Sequence, residues 1–214
     1  MIIAVDGPAA SGKGTIGAAL AAHYGLPHLD TGLLYRAVGE AVAAWIDDPQ
    51  IEAIATRAAQ ALDLDALDGE KLIGADAGVR ASRIAVFPGV RQALFDAQRE
   101  FALKPEGAVL DGRDIGTVIA PEADAKLFIV ADAQIRTERR ARQLEARGAT
   151  VDRARMLRDI TARDARDAAA PHGGFRPADD AVLLDTSNLD IEAAIKAAIA
   201  VVEAAIARKA ASRT

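Results

Sequence analysis

The sequence predicts an α/β fold, a central parallel β-sheet flanked by helices, and three observations carry that expectation. Met1 to Asp6 is a short apolar, β-branched run with a glycine-rich loop directly after it. Three more apolar runs follow, Ala108 to Leu110, Ala125 to Val130 and Ala181 to Leu184, each with an aspartate at or just beyond its end. Stretches with helical spacing fill the intervals. Runs that are apolar throughout belong to strands covered on both faces, and strands separated by helices return in parallel through right-handed crossovers.

The first run leads into a candidate site. Gly7, Pro8, Ala9, Ala10, Ser11, Gly12, Lys13, Gly14 and Thr15 make a strand-to-helix loop with a lysine where the helix begins. In such a loop successive backbone N–H groups face one concavity and the helix adds its positive N-terminal end, which together cradle a polyphosphate. Lys13 supplies a point charge for the outer phosphates. Gly14 stands where a hydroxyl residue is usual and the hydroxyl comes one later, at Thr15, so it meets the phosphate or metal from a shifted position. Gly12, Gly14 and Gly17, with Asp30 further on, also fit a dinucleotide-binding fingerprint. That fingerprint begins close behind its strand and holds no ammonium among its glycines, whereas Gly12 comes six residues after Asp6 and precedes Lys13. The phosphate cradle is the better reading.

Bulk composition narrows the class. A chain of 214 residues forms one domain, with room for a small insertion, and buries enough surface to need no covalent staples. With no cysteine there is no disulfide framework, thiolate metal site or thiol nucleophile, which fits a reducing cytosol. No run has the length of a membrane span or the flanks of a signal peptide, so a soluble cytoplasmic protein is expected. A net charge of −5 and 4% aromatic residues argue against a surface for nucleic-acid polymers. Basic charge is local: Arg136 to Arg166 holds ten arginines against five acidic residues, either a solvated helix face or a clamp for phosphates. The histidines, His23, His28 and His172, lack metal-ligand spacing and are read as ordinary structure. No heptad or apolar patch is legible, so a monomer is expected.

Taken in order, Thr15 to Tyr24 reads as a helix closed by Gly25 in a left-handed cap. A strand at Leu26 to Leu29 delivers Asp30, Thr31 and Gly32 to its carboxyl end, where open α/β sheets bind ligands. Leu34, Val38, Ala41, Val42 and Trp45 recur at helical spacing, so Gly32 to Ile46 is expected to bury that stripe. Pro49 to Ser82 reads as an insertion, with a helix through Ala61 and then a small hairpin turning at Asp68 and Gly69 before Lys71 to Ile73. Phe87 and Pro88 open another helix, with Val90, Leu94, Phe95 and Phe101 as its apolar face. Asp111 to Asp114 crowds charge at a strand end, which marks a site. The last helix runs from Ile191 to about Arg208, with Ile191, Ile195, Val202 and Ile206 facing the core.

With these segments in place, nearly the whole chain resembles the bacterial-type cytidylate kinases, of the P-loop nucleoside monophosphate kinases. The pieces that carry it are Val5 to Pro8 with the Gly12 to Thr15 loop, Leu29 to Gly32 with Tyr35 and Arg36, Ser82 to Arg91, Asp111 to Asp114, and Arg163 to Asp167. Each is modest alone; their order and spacing are specific. The resemblance implies a P-loop kinase fold with core residues near 1–31, 103–135 and 180–214, a small acceptor-binding insertion at 32–102 and a lid at 136–179. It implies transfer of the γ-phosphoryl group of ATP to CMP or dCMP, with Mg²⁺ bridging the phosphates.

On that resemblance Lys13, Arg113 and Arg163 serve the transfer, and the loop residues with Arg139 bind ATP. Thr31, Tyr35, Arg36, Ser82, Arg91, Arg113, Asp114, Arg163 and Asp167 are implied around CMP, with Asp114 accepting from the cytosine amine and Asp167 from ribose hydroxyls. Uracil would set a carbonyl against the Asp114 carboxylate and leave buried groups unpaired, at about 1–3 kcal/mol each. Thr15 and Asp6 are the candidates for Mg²⁺. One departure stands out: Ala170 replaces an arginine of the family, with Pro171 to Phe175 altered after it and Arg166 and Arg176 as possible substitutes. Rival readings are a UMP/CMP, adenylate or shikimate kinase, or a GTPase switch. The last needs an Asn-Lys-x-Asp guanine reader, whereas Asn188, the one asparagine, precedes Leu189.

Overall fold

Five short strands set the frame of the protein in a computed structural model that describes residues 1–64, 66, 67, 69, 72, 75–169 and 175–211. They are β1 (Ile2–Asp6), β2 (His28–Asp30), β3 (Ala108–Gly112), β4 (Ala125–Val130) and β5 (Val182–Asp185), in the sheet order β2-β3-β1-β4-β5. β1 pairs in parallel with β3 and β4, and β4 with β5. The expected α/β class is met, and the strand order reverses at β1, so the loop after it emerges at the crevice where such sheets take ligands.

The chain divides into two units, one of residues 1–29 and 105–214 and the other of residues 30–104. In the first, α1 (Lys13–Tyr24) and α8 (Ile191–Ala211) cover the sheet. Ile3, Val5, Val109, Leu127 and Ile129 of the strands pack with Ile16 and Leu20 of α1 and with Ala194, Ala198 and Val202 of α8. Each large apolar side chain fully buried there contributes about 1.5–3 kcal/mol. Gly25 closes α1 with φ 64°, its N–H on the Ala21 carbonyl, as its sequence position requires. A one-turn π-helix at Ile115–Ile119 follows β3, and α6 (Ala133–Glu145) and α7 (Arg153–Ala168) lie between β4 and β5 in sequence. Asp132, Asp152 and Asp190 cap α6, α7 and α8 by accepting from Gln134, Arg155 and Ala193 N–H groups. Each cap of this kind contributes about 1 kcal/mol. Asp124, just before β4, accepts from Ile2 N–H at 2.8 Å and pairs with Lys209 near the end of α8.

The second unit is helical: α2 (Thr31–Ala41), α3 (Ile51–Gln60), α4 (Ala75–Ile84) and α5 (Pro88–Ala102). α2 packs on α4 and α3 on α5. Gly39 permits the first approach, since a Cβ there would stand 3.0 Å from the Ala81 nitrogen. Pro88 opens α5 at the first helical position, as expected.

Several expectations need correction. α2 stops at Ala41 and the chain tightens into a 3₁₀ turn at Ala43–Trp45, which rotates the following side chains. Leu34, Val38 and Val42 are buried accordingly, but Ala41 and Trp45 are exposed. α4 occupies residues read as irregular insertion. The expected hairpin falls partly on residues outside those described, and Leu62, Leu64, Gly69 and Leu72 are not in strands. In α8 the buried face is Ala194, Ala198 and Val202, while Ile191 and Ile206 are exposed. Small residues there let the helix lie close on the sheet. Ala198→Leu should therefore overpack this contact and cost about 1–3 kcal/mol, read as a lower urea midpoint at unchanged slope.

Candidate functional site

The loop after β1 has the backbone that its glycines foretell. Gly7 (φ 156°) admits no side chain, because a Cβ would lie 2.2 Å from the Ile129 carbonyl oxygen. Ala10 and Gly12 are both left-handed, at φ 61° and 96°. For Ala10 this costs about 1–2 kcal/mol, a strain kept only where surroundings impose it. Gly12 is the N-cap of α1 and, having no side chain, offers the first amides of that helix no cap of its own. Alternate carbonyls of the loop are held from outside. Arg113 Nη1 reaches the Gly7 carbonyl at 3.5 Å, Arg136 Nη1 the Ala9 carbonyl at 3.2 Å and Arg139 Nη1 the Ser11 carbonyl at 3.2 Å. Thr186 Oγ1 also donates to Ser11 at 3.0 Å. The Ser11 hydroxyl is fully buried and finds no hydrogen-bond partner among the described residues.

Lys13 opens α1 and places Nζ 3.8 Å from Asp111 Oδ1 at the end of β3. The other oxygen of Asp111 lies 2.9 Å from His28 Nε2 on β2. Asp6, at the end of β1, is buried and accepts from the Ile115 and Gly116 N–H groups, each at 2.8 Å. Those two bonds seat the π-turn, which in turn fixes Arg113 and Asp114 before it. Burial pushes the Asp6 carboxyl up to about 6, against the downward pull of the two N–H groups. Thr15 lies exposed on the first turn of α1.

α6 and α7 bring a row of guanidinium–carboxylate pairs to the loop. Arg113 Nε donates to Asp167 at 2.5 Å, Arg163 stands 3.9 Å from the same oxygen, and the Arg113 guanidinium lies 5.9 Å from the Phe175 ring. Arg136 is buried and donates to Asp164 through both terminal nitrogens, at 3.1 and 2.5 Å, and to the Ala131 carbonyl. Asp164 and Asp167, three apart, share one face of α7. Arg139 also donates to Thr186 through its hydroxyl and carbonyl. Arg136 and Arg139 are thus committed to the protein's own carbonyls and carboxylates.

In the helical unit, Asp30 caps α2 by accepting from Gly32 N–H, which fixes the turn bearing Thr31, Tyr35 and Arg36. Ser82 Oγ donates to the Gly78 carbonyl on α4, and Arg91 sits on the first turn of α5. Arg166 donates to Ala162 within α7, and Arg176 lines a cavity of about 210 Å³ with Thr117, Lys126 and Asp180. Ala170 and His172 lie outside the described residues.

Sequence reasoning marked Asp111 within the charged turn after β3 but gave neither it nor Asp164 a role of its own, and assigned His28 to ordinary structure. One signal for the first pair was present. Gly14 and Gly17 sit one turn apart on α1, and a Cβ at Gly17 would come 2.9 Å from His28 Nε2 and 3.4 Å from Asp111. Arg136, Asp164 and Thr186 left no such trace, because they act on backbone atoms or on each other across long separations.

The cytidylate kinase family description matches residues 3–204. The cytidylate kinase of Xanthobacter autotrophicus is 57% identical over 95% of this chain and 98% of its own length. Those of Methylocella silvestris and Rhodopseudomonas palustris are each 54% identical, over 96% and 95% of this chain and 95% and 96% of theirs. The crystal structure of an uncharacterized protein from Eubacterium ventriosum superposes with a TM-score of 0.54 at 14% identity, covering 95% of this chain and 98% of its own; this likeness is one of fold.

The Asp6 geometry yields a test with a definite sign. Because its folded pKa is raised, native protein holds a proton that the unfolded chain releases near the ordinary aspartate value of 3.8, so its contribution to stability falls as pH rises from about 4 to about 6. Relative to Asp6→Asn, the wild type should lose up to roughly 3 kcal/mol over that interval and then level off. Urea unfolding of both proteins between pH 4 and 7 checks it.

Proposed function

The chain belongs to the cytidylate kinase family, and on that premise we propose that its glycine loop grips ATP while the arginines beside it present CMP or dCMP for phosphorylation. The reaction is transfer of the γ-phosphoryl group, giving CDP or dCDP and ADP. The observation that carries this reading is the family match along residues 3–204, within which the loop, its lysine and the Arg113 and Asp114 turn all fall.

Phosphoryl transfer leaves little covalent work to a protein, so the residues act by placing groups and neutralising charge. The loop amides and the uncapped start of α1 receive the ATP phosphates, with Lys13 as counter-charge. Arg113 and Arg163 meet the transferring group, and Arg36 and Arg113 the phosphate of CMP. In the structure Asp167 holds Arg113 and flanks Arg163, so it keeps both guanidinium groups in place and takes the ribose hydroxyls once nucleotide is bound. Asp114 reads the cytosine amine with Ser82 and Arg91, and Thr31 and Tyr35 complete the acceptor site in the helical unit. Arg139, tied to Ser11 and Thr186, serves ATP by stiffening the loop.

The donor set also fits Mg²⁺ bound chiefly through phosphate and water. Among the described residues no group of three histidine or acidic side chains could hold a metal, and Asp6 spends its carboxylate on backbone N–H groups. Thr15, exposed beside Lys13, is the protein's hydroxyl for it. The ion would neutralise the phosphate oxygens. Residues 136–179, carrying Arg163 and Asp167, act as the lid that excludes water, and 32–102 receive the acceptor.

At fixed ATP and Mg²⁺, turnover should be highest with CMP and dCMP and far lower with UMP, AMP or shikimate, followed by coupled detection of ADP. Lys13→Ala and Arg113→Ala should each lower turnover on the order of 10²–10³-fold while leaving the thermal midpoint near that of wild type. Brisk turnover of another acceptor, with CMP inert, would refute the acceptor assignment.

A further inference from the structure

We propose that Phe175 is a positioning residue of the transfer site: seated on Phe128, its ring backs the Arg113 guanidinium and steadies it without occupying the N–H groups that nucleotide phosphate takes. The inference rests on the assignment of Arg113 to phosphate. Its own grounds lie within the first unit, in a stack of three side chains.

Phe128 is a buried residue of β4, in register with Asp6 of β1, so it marks the level of the sheet from which the glycine loop departs. The Phe175 ring rests on it with centroids 5.3 Å apart and planes at 45°, a separation that aromatic pairs favour. The Arg113 guanidinium carbon lies over the Phe175 ring, 5.9 Å from its centroid. That is inside the roughly 6 Å over which the negative face of a ring attracts a cation. A ring fastened to the sheet thereby reaches the charged group that serves the transfer.

The other contacts of Arg113 show what the ring adds. Nε–H donates to Asp167 at 2.5 Å, while Nη1 reaches the Gly7 carbonyl only at 3.5 Å. One close bond and one long one let a planar group pivot about Nε. A second carboxylate would stop the pivot, but it would take up more of the five N–H donors of the guanidinium, the same donors that match phosphate oxygens in pairs. An aromatic face stops it and takes none. The altered segment after Ala170 points to the same residue. Arg166 and Arg176, the basic side chains close to it, turn elsewhere: Arg166 donates to the Ala162 carbonyl at 3.3 Å, and Arg176 stands 4.0 Å from Asp179. Phe175, next to Arg176 in sequence, is instead laid against Arg113.

The test uses the full chain with ATP, Mg²⁺ and CMP, and compares wild type with Phe175→Leu, Phe175→Tyr, Arg113→Ala and the variant joining Phe175→Leu to Arg113→Ala. Leucine keeps an apolar contact with Phe128 and removes the ring; tyrosine keeps the ring. Phe175→Leu should lower kcat/KM for CMP about threefold or more, with the KM for ATP within about twofold, because Arg136 and Arg139 still hold the loop. Phe175→Tyr should recover most of that loss. In the Arg113→Ala background the leucine substitution should change the residual rate less than about twofold, because no cation is left to steady. Should Phe175→Leu fail to fold, Phe175→Met, which fills more of the volume of the ring, takes its place with the same expectations. The proposal is overturned if the loss with leucine is smaller than about threefold, if it falls on the KM for ATP instead, if tyrosine is as damaging as leucine, or if the two losses multiply in the joint variant. Full turnover by Arg113→Ala alone would instead overturn the functional assignment beneath it.

Discussion

The phosphate loop keeps its shape because guanidinium groups hold every second carbonyl along it, at Gly7, Ala9 and Ser11. A loop with two left-handed residues in three would otherwise relax, since among the described residues its internal backbone bond is a long one, Ser11 to Pro8 at 3.4 Å. Fastening the carbonyls from outside leaves the amides for the concave side, which suits an anion far better than a loop closed on itself. The bracing arginines come from different elements, Arg113 after β3 and Arg136 and Arg139 on α6, so the loop is stiff only when sheet and helices are both in place. Activity and folding are joined at that point.

The same pairs connect the loop with α7. Arg136 spans the Ala9 carbonyl and Asp164, while Arg113 spans the Gly7 carbonyl and Asp167. A carboxylate on the helix and a carbonyl on the loop therefore share each guanidinium. On the proposed function, phosphate oxygens would meet groups already oriented, so binding would spend little on ordering long side chains. Partly buried ion pairs of this sort add little net stability, and their value here is orientation.

Contiguous chemistry was legible in the sequence and dispersed chemistry was not. The loop had to be continuous, so its glycines and lysine announced it; Gly25 and Pro88 likewise marked helix ends by backbone demands of their own. α4 was missed because its buried stripe, Ala77, Ala81 and Ile84, is short and mostly alanine while the larger Val79 is exposed, and Trp45 was misplaced because a 3₁₀ turn breaks the 3.6-residue count. The face of α8 was misread because alanines, not isoleucines, make the closest contact. At the site, aspartates at strand ends proved to be of several kinds: Asp30 caps a helix, Asp185 holds Ser187, Asp6 seats the π-turn, and Asp111 faces Lys13. A one-dimensional pattern gives all four the same weight; burial and partners separate them.

Asp124 joins two distant stretches of chain, the opening amide of β1 and Lys209 at the far end of α8. Head and tail of the folded unit thus meet at one carboxylate on the side of the sheet from which the strands start, away from the loop. The order of elements could accordingly be permuted, with a short bridge from α8 into β1 and a fresh opening in the exposed turn around Gly148. The glycine loop would then sit mid-chain with its braces untouched, since α6 and the turn after β3 stay whole.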